Sequence, residues 1–201
     1  MKQGKFSRKI RADDTSYYMS CPEVVARHIA SRLADFRTCV ELCCGVGMLS
    51  IQLARVMNKV FAVDISAKNI EDAKHNAGLY GVAGRIEFIT GDVLDEKLLG
   101  GLGADVAVLD PDWSGLSENK EDHVSGLEET EPSLRKLFNL TRKHVTENIV
   151  ARIPKTFSFK TLEEFGPCRM ENVFWGDKLR FKIAYFFPEI NENSETNISF
   201  D

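Results

Sequence analysis

Five short apolar runs, each closed by polar or glycine residues, punctuate the chain: Thr38-Cys-Val-Glu-Leu42, Lys59-Val-Phe-Ala-Val-Asp64, Arg85-Ile-Glu-Phe-Ile89, Asp105-Val-Ala-Val-Leu109 and Asn148-Ile-Val-Ala-Arg-Ile153. Runs of this length and composition predict strands buried on both faces, as parallel sheets require. Between them the apolar period lengthens to that of a helix. Val24, Val25, His28, Ile29 and Leu33 recur at helical spacing behind Ser20-Cys21-Pro22-Glu23, where the serine offers a cap. Leu49, Ile51, Leu53, Ala54 and Val56 belong to a second helix, and Ser66 to about Tyr80 to a third that Gly81 stops. Residues 132–145 and 156–165 predict two more. The ending differs: Arg169–Trp175 and Leu179–Phe187 are aromatic-rich runs joined by Gly176-Asp177-Lys178, the short turn of a hairpin. Strand and helix alternate five times before that hairpin, which predicts an α/β fold, a doubly wound, mostly parallel seven-stranded sheet with an antiparallel C-terminal hairpin.

Length changes the picture little, because 201 residues suit one well-buried core and are too few for two ordinary domains. The expected organisation is a basic N-terminal arm over residues 1–21, a folded domain over 22–190 and a polar, disordered tail over 191–201. No apolar run approaches a membrane span, and Met-Lys-Gln-Gly-Lys-Phe lacks the apolar stretch of a signal peptide. A cytoplasmic protein is expected, or a nuclear one if the source is eukaryotic. Cys21, Cys39, Cys43, Cys44 and Cys168 are an odd set without paired ligand spacing, so neither a disulfide framework nor a metal site is expected. The formal net charge of −4 argues against a protein that coats long stretches of nucleic acid. Its distribution matters more. Lys2, Lys5, Arg8, Lys9 and Arg11 stand in the first twelve residues without an acid, whereas Glu118 to Glu131 and the segment from Glu189 are acid-rich. The arm reads either as a solvated tail or as a short phosphate-contacting segment. Nothing in the pattern indicates an oligomer.

The chemistry concentrates at strand ends, where open α/β sheets bind ligands. Leu109-Asp110-Pro111-Asp112-Trp113-Ser114-Gly115 follows the fourth strand and combines a short acceptor, a rigid proline and an aromatic plate. That set suits the holding of a flat base while something reacts at its edge. After the first strand, Glu41-Leu-Cys-Cys-Gly45-Val-Gly47 predicts a tight turn in which Gly45 and Gly47 let backbone approach a ligand. A dinucleotide fingerprint would need glycine at position 50, and Ser50 stands there. Asp64 ends the second strand, where an acceptor can take both ribose hydroxyls of an adenosine. Ile65 follows it. Asp92, beyond the third strand, can accept from an adenine amine that the neighbouring Val93 would cover. Glu41 is placed for the amine or sulfonium end of a methionine. Three acids at three successive strand ends beside a glycine turn favour S-adenosylmethionine, with S-adenosylhomocysteine as product.

The alternation of elements resembles the Rossmann-like fold of class I methyltransferases, and Asp110-Pro111 followed by an aromatic resembles the segment used by those that modify exocyclic amines. From about Phe6 to Ile190 the chain resembles the trimethylguanosine synthases, the RNA cap guanine-N2 methyltransferases. The resemblance is carried by Glu41–Gly47, by Asn76-Ala-Gly-Leu-Tyr-Gly81 with Arg85-Ile-Glu-Phe-Ile-Thr-Gly-Asp92, by Asp110-Pro-Asp-Trp113, and by Asp177-Lys-Leu-Arg-Phe-Lys-Ile-Ala-Tyr-Phe186. Tyr17-Tyr18-Met-Ser-Cys-Pro22-Glu23 matches loosely a segment that contributes to substrate gripping, which assigns Tyr18 to the substrate. The resemblance implies that Trp113 is the cap-stacking tryptophan, that Asp110 stands for the strand-end acceptor, often serine, and that Pro111 is the first proline of that motif. Cys43 stands where many methyltransferases carry their first glycine. Asp112 replaces a second proline, Ser114 a glycine, and some twenty residues replace a long extension.

These readings imply an S-adenosylmethionine-dependent methyltransferase acting on an exocyclic amine, guanine N2 of a capped or cap-like RNA. The expected site is Asp110, Pro111 and Trp113 for catalysis, and Glu41, Cys43, Gly45, Gly47, Asp64, Ile65, Asp92, Val93 and Asp110 for the cofactor. Trp113, Asp112 and Tyr18 are expected to hold an RNA or guanosine nucleotide. The rivals are an enzyme for a transfer- or ribosomal-RNA base or another planar amine, and a catalytically silent module that binds cofactor or RNA.

Overall fold

The computed structural model describes residues 5–113 and 124–200; Lys2, Ser114, Gly115 and Glu118 lie outside these residues. The chain divides into two compact units, Met1–Val106 and Ala107–Asp201. In the first unit the strands β1 (Thr38–Leu42), β2 (Lys59–Asp64) and β3 (Ile86–Thr90) lie parallel in the order β3-β2-β1. The register sets Leu42 beside Val63 and Asp64 beside Thr90, so the strand ends that carry the predicted acids line up at one edge of the sheet. β1 and β2 are buried through almost their whole length, as their apolar runs predict. Helices α2 (Glu23–Arg32), α3 (Met48–Val56) and α4 (Ala67–Leu79) connect and cover them. α4 starts at Ser66, whose hydroxyl accepts from the Asn69 N–H at 3.2 Å.

Two helices in this unit escape the sequence pattern. The six-residue α1 (Asp14–Met19) is capped by Asp13, which accepts from the Ser16 N–H at 2.7 Å. Its presence makes Ser20 the end of α1 rather than the cap of α2, whose N-cap is Pro22 without a side-chain bond. The short α5 (Glu96–Gly100) is capped by Asp95.

The second unit holds β4 (Val106–Leu109, its first residue falling in the first unit), β5 (Ile149–Pro154), β6 (Arg169–Trp175), β7 (Lys178–Phe186) and β8 (Ser194–Phe200), ordered β4-β5-β7-β6-β8. β4 and β5 are parallel, β5 with β7 and β7 with β6 are antiparallel, and β8 returns parallel to β6. The predicted hairpin is therefore present, but among the described residues the strands number eight rather than seven. β8 occupies the segment expected to be a disordered tail. It is held at the margin of β6 by a full ladder, by a hydrogen bond that the Asn172 side-chain amide donates to the Asn197 side-chain carbonyl at 2.9 Å and by Trp175 against Phe200 with centroids 6.4 Å apart. An edge strand exposes most of its residues, so its polar sequence costs it nothing. Helices α6 (Leu134–His144) and α7 (Phe159–Leu162) complete the unit, α6 starting two residues later than predicted at the Ser133 cap. Among the described residues no helix is long and apolar enough to cross a membrane.

Candidate active site

In the first unit the turn between β1 and α3 is fastened from below by backbone and from the side by a carboxylate. The Cys44 N–H donates to the Val63 carbonyl and the Gly47 N–H to the Cys44 carbonyl, both at 2.9 Å. Asp64 accepts from the Gly45 N–H at 2.8 Å with one oxygen, and with the other from the Ser66 N–H at 2.9 Å and the Asn69 side-chain amide at 3.1 Å. A buried carboxylate has about four lone-pair sites, and with three of them fixing the turn one is left for a hydroxyl. Cys43 adopts φ 69°, a left-handed backbone ordinarily left to glycine, at the position where the resemblance places one. The two glycines separate in role. A Cβ on Gly45 would meet open space, while a Cβ on Gly47 would lie 2.8 Å from the Ala73 Cβ of α4. Gly45 thus faces open space, and Gly47 is required by helix packing.

Glu41 is buried and accepts from the Ser50 hydroxyl, so the residue that breaks a dinucleotide fingerprint is bound to the acid at the end of β1. Burial first, then the Glu41 and Asp64 carboxylates, push the Cys44 thiol well above its ordinary range, which keeps it neutral. Asp92 is exposed and caps its own loop by accepting from the Leu94 N–H at 2.8 Å, and Val93 beside it is buried. Ile65 is 73% exposed immediately after Asp64. A large apolar side chain in water beside a buried acceptor matches the needs of a nucleoside, whose ribose is polar and whose base is flat. The fit to S-adenosylmethionine rests on this cradle: open space over Gly45, the Asp64 acceptor, and Ile65 next to it.

From Lys5 onward the arm is docked. Glu23 accepts from the Ser7 N–H at 2.6 Å, the Ser7 hydroxyl and the Tyr80 hydroxyl at 2.9 Å, and Arg27. Burial pushes its carboxyl up, but these bonds outweigh it and hold the pKa down to about 2. Asn76, fully buried in α4, binds the backbone of Arg11 on both sides, accepting at 2.7 Å and donating at 3.0 Å, and also donates to the Val46 carbonyl at 3.1 Å. One amide therefore ties the arm to the glycine turn. The Arg11 side chain pairs with Asp72 at 2.6 Å and Glu71 at 3.1 Å, and Lys5 donates to the carbonyls of Tyr17 and Tyr18. Tyr18, on α1, is 67% exposed. Asn76 carries no role in the sequence reading; a polar residue inside a helix between Ala73 and Ala77, which face the core, is the signal that finds it.

In the second unit, the parallel register sets Leu109 beside Ala151, which brings the next residues, Asp110 and Arg152, together. Their side chains form an ion pair at 2.9 Å, both largely buried. The Arg152 guanidinium also lies over the Trp113 ring at 4.7 Å and the Phe181 ring at 5.0 Å. Trp113 is 8% exposed, so its ring is a wall of the unit rather than an open plate. Pro111 is buried and Asp112 exposed. The backbone of Asp112 is fixed by two hydrogen bonds with Glu131, its N–H donating at 2.8 Å and its carbonyl accepting at 2.7 Å. Arg152 is the site residue that pattern reading misses, although a lone arginine inside an apolar strand run is a visible signal. Among the described residues no group of three or more His, Cys, Asp or Glu could hold a metal ion.

Four similarities relate the chain to known proteins. The chain is 34% identical over 113 residues to an uncharacterized RNA methyltransferase of Gloeobacter violaceus, a match covering 53% of this chain and 24% of that one. It is 36% identical over 84 residues to a tRNA (uracil-5-)-methyltransferase homolog B of Danio rerio, covering 39% and 17%. The chain therefore matches less than a third of the length of either relative. A crystal structure of a SAM-dependent methyltransferase from Agrobacterium tumefaciens superposes with a TM-score of 0.61 at 18% identity, covering 84% of this chain and 63% of that one, which shows a shared Rossmann-like α/β fold. The family model described as RNA cap guanine-N2 methyltransferase matches residues 36–188, from the start of β1 to the end of β7. The chain belongs to the RNA cap guanine-N2 methyltransferase family, whose cofactor is S-adenosylmethionine.

Proposed function

We propose that the protein methylates the exocyclic amine N2 of guanine in RNA. The observation that carries this reading is the Asp110 carboxylate at the carboxyl end of β4, followed by buried Pro111 and held at 2.9 Å by Arg152. A guanine amine is a poor nucleophile because its lone pair is delocalised into the ring. Asp110 accepts one of its N–H groups, and a backbone carbonyl near Pro111 accepts the other, so the nitrogen turns its lone pair out of conjugation. Trp113 and Pro111 bound the base and limit its tilt. When bound, the cofactor would supply a sulfonium methyl group and leave as the thioether S-adenosylhomocysteine, while the methylated nitrogen gives up one proton to solvent. Gly45, Asp64 and Ile65 hold and orient it, and Asp92 binds at its base. Positioning accounts for most of the rate in methyl transfers of this kind.

Transfer of a labelled methyl group to capped and uncapped RNA, followed by digestion to nucleosides, tests the reading. N2-methylguanosine is the expected product. Asp110→Asn, which keeps the shape but loses the charge, is expected to slow single turnover by about 10–100-fold while leaving the affinity for S-adenosylhomocysteine within twofold. A methyl group found on a carbon, a ribose oxygen or another base overturns the assignment.

A further inference from the structure

We propose that Asn69 and Asn76 are positioning residues for the cofactor, two side-chain amides of α4 that make docking of the N-terminal segment and binding of S-adenosylmethionine depend on each other. The inference rests on the cofactor cradle at Gly45 and Asp64 described above and is independent of which base is methylated.

Seven positions apart, the two asparagines stand about two helical turns from one another on one side of α4. Each bonds the cradle with one group and the N-terminal segment with another. The Asn69 side-chain amide donates to Asp64 at 3.1 Å, and its carbonyl accepts from the Ser16 hydroxyl of α1 at 3.4 Å. Asn76 donates to the Val46 carbonyl at 3.1 Å and to the Arg11 carbonyl at 3.0 Å, and accepts from the Arg11 N–H at 2.7 Å. Both cradle contacts fall where the backbone alone fixes little. Val46 stands between Gly45 and Gly47, both at positive φ, and a carbonyl flanked by glycines is held in place by its hydrogen bonds rather than by side-chain sterics. Of the three donors to Asp64, the Gly45 and Ser66 N–H groups belong to the backbone, and Asn69 supplies the one from a side chain.

Asn76 is fully buried, and its three bonds use both amide hydrogens and the carbonyl. When the segment lifts away, two of those bonds are lost together. A buried amide with unmet donor and acceptor groups is costly, so Asn76 turns toward water and the Val46 carbonyl loses its partner. At Asn69, loss of the Ser16 hydroxyl frees the amide to rotate away from Asp64. The undocked chain therefore has a looser glycine turn and a less constrained acceptor, and it binds the cofactor more weakly. Linkage makes the effect reciprocal: the bound cofactor favours the docked segment by the same factor. The bonds of Ser7 to Glu23 and of the Arg11 guanidinium to Asp72 anchor the segment to α2 and α4 without touching the cradle. They set how firmly it docks, and the two asparagines transmit the docking to the cofactor.

The test uses the full chain and S-adenosylhomocysteine. Saturating ligand is expected to slow hydrogen exchange of the amides of residues 5–13 by about fivefold or more relative to the exposed edge strand β8, which reports any general stabilisation. In titration calorimetry Asn69→Ala and Asn76→Ala should each bind the ligand about fivefold or more weakly than the unsubstituted chain. In each variant the ligand should also protect the segment about half as much or less. A side chain that served stability alone would leave that ligand-dependent protection unmoved. If Asn76→Ala fails to fold, the unsubstituted chain and Asn69→Ala decide. Asp64→Ala separates the proposal from the cradle on which it rests. Ligand affinity unchanged in Asp64→Ala overturns the cradle, and this proposal with it. Affinity lowered in Asp64→Ala, with exchange of the segment unmoved by ligand or its protection unchanged in the folded asparagine variants, overturns this proposal alone.

Discussion

At Gly45 an added Cβ would meet nothing within 4 Å, and at Gly47 it would sit 2.8 Å from the Ala73 Cβ. Both residues have positive φ, 52° and 79°, so alanine costs each roughly 1 kcal/mol in backbone strain. Only Gly47 adds a steric term, about 1–3 kcal/mol for overpacking against α4. Gly45→Ala is therefore expected to lower the thermal midpoint by about 2–4 °C, with loss of S-adenosylhomocysteine affinity on the order of tenfold, because its methyl group enters the space left for ligand. Gly47→Ala should lose more stability, and Ala73→Gly in the same chain should recover part of it. Scanning calorimetry and titration calorimetry separate the two: equal stability losses, or unchanged affinity in Gly45→Ala, contradict the division of roles. The sequence pattern places this turn correctly and cannot divide it, since the constraint on Gly47 comes from a helix twenty-six residues away. Arg152 is hidden for the same reason. In the sequence it interrupts an apolar run, and its meaning depends on strand register.

The arm and α1 form an element whose docking is electrostatic and local. Glu23 collects the Ser7, Tyr80 and Arg27 donors, and its pKa of about 2 lies below the ordinary glutamate value of 4.5. A depressed carboxyl stabilises the docked state fully above the unfolded value and loses that contribution as pH falls through the folded one. Protection of the arm from hydrogen exchange or proteolysis should therefore be flat above about pH 5 and fall between 4.5 and 2. Glu23→Gln should remove that acid dependence and cost on the order of 1–3 kcal/mol at neutral pH, because Arg27 and the Ser7 N–H lose their acceptor charge. An acid profile unchanged in Glu23→Gln would assign the transition elsewhere. The elements that escape sequence reading share one physical cause. α1 is too short for a period to show, and β8, Ser-Glu-Thr-Asn-Ile-Ser-Phe, is stabilised by pairing and one amide contact rather than by an apolar face. The buried strands β1, β2, β4 and β5 are legible because their only requirement is continuous burial.

At the scale of the molecule, an acidic chain for which an RNA substrate is proposed must gather phosphate with few charges. Of the arm's basic residues, Lys5 and Arg11 are committed to Tyr17, Tyr18, Glu71 and Asp72, whereas Arg8 and Lys9 are exposed. Each phosphate neutralised contributes roughly 0.7–0.9 to the slope of log affinity against log salt. Replacing Arg8 and Lys9 by alanine should therefore lower that slope for RNA by at most about 1.4–1.8, with cofactor affinity intact. Deleting residues 1–11 is a poorer test, because it also removes the Arg11 backbone from Asn76 and so disturbs the amide that binds the Val46 carbonyl in the glycine turn. That deletion should weaken S-adenosylhomocysteine binding as well as RNA binding, a loss that the double substitution does not share. Salt titrations of RNA binding for the two variants distinguish steering from architecture. A slope unmoved by the double substitution would mean that the exposed charges of the arm serve solubility alone.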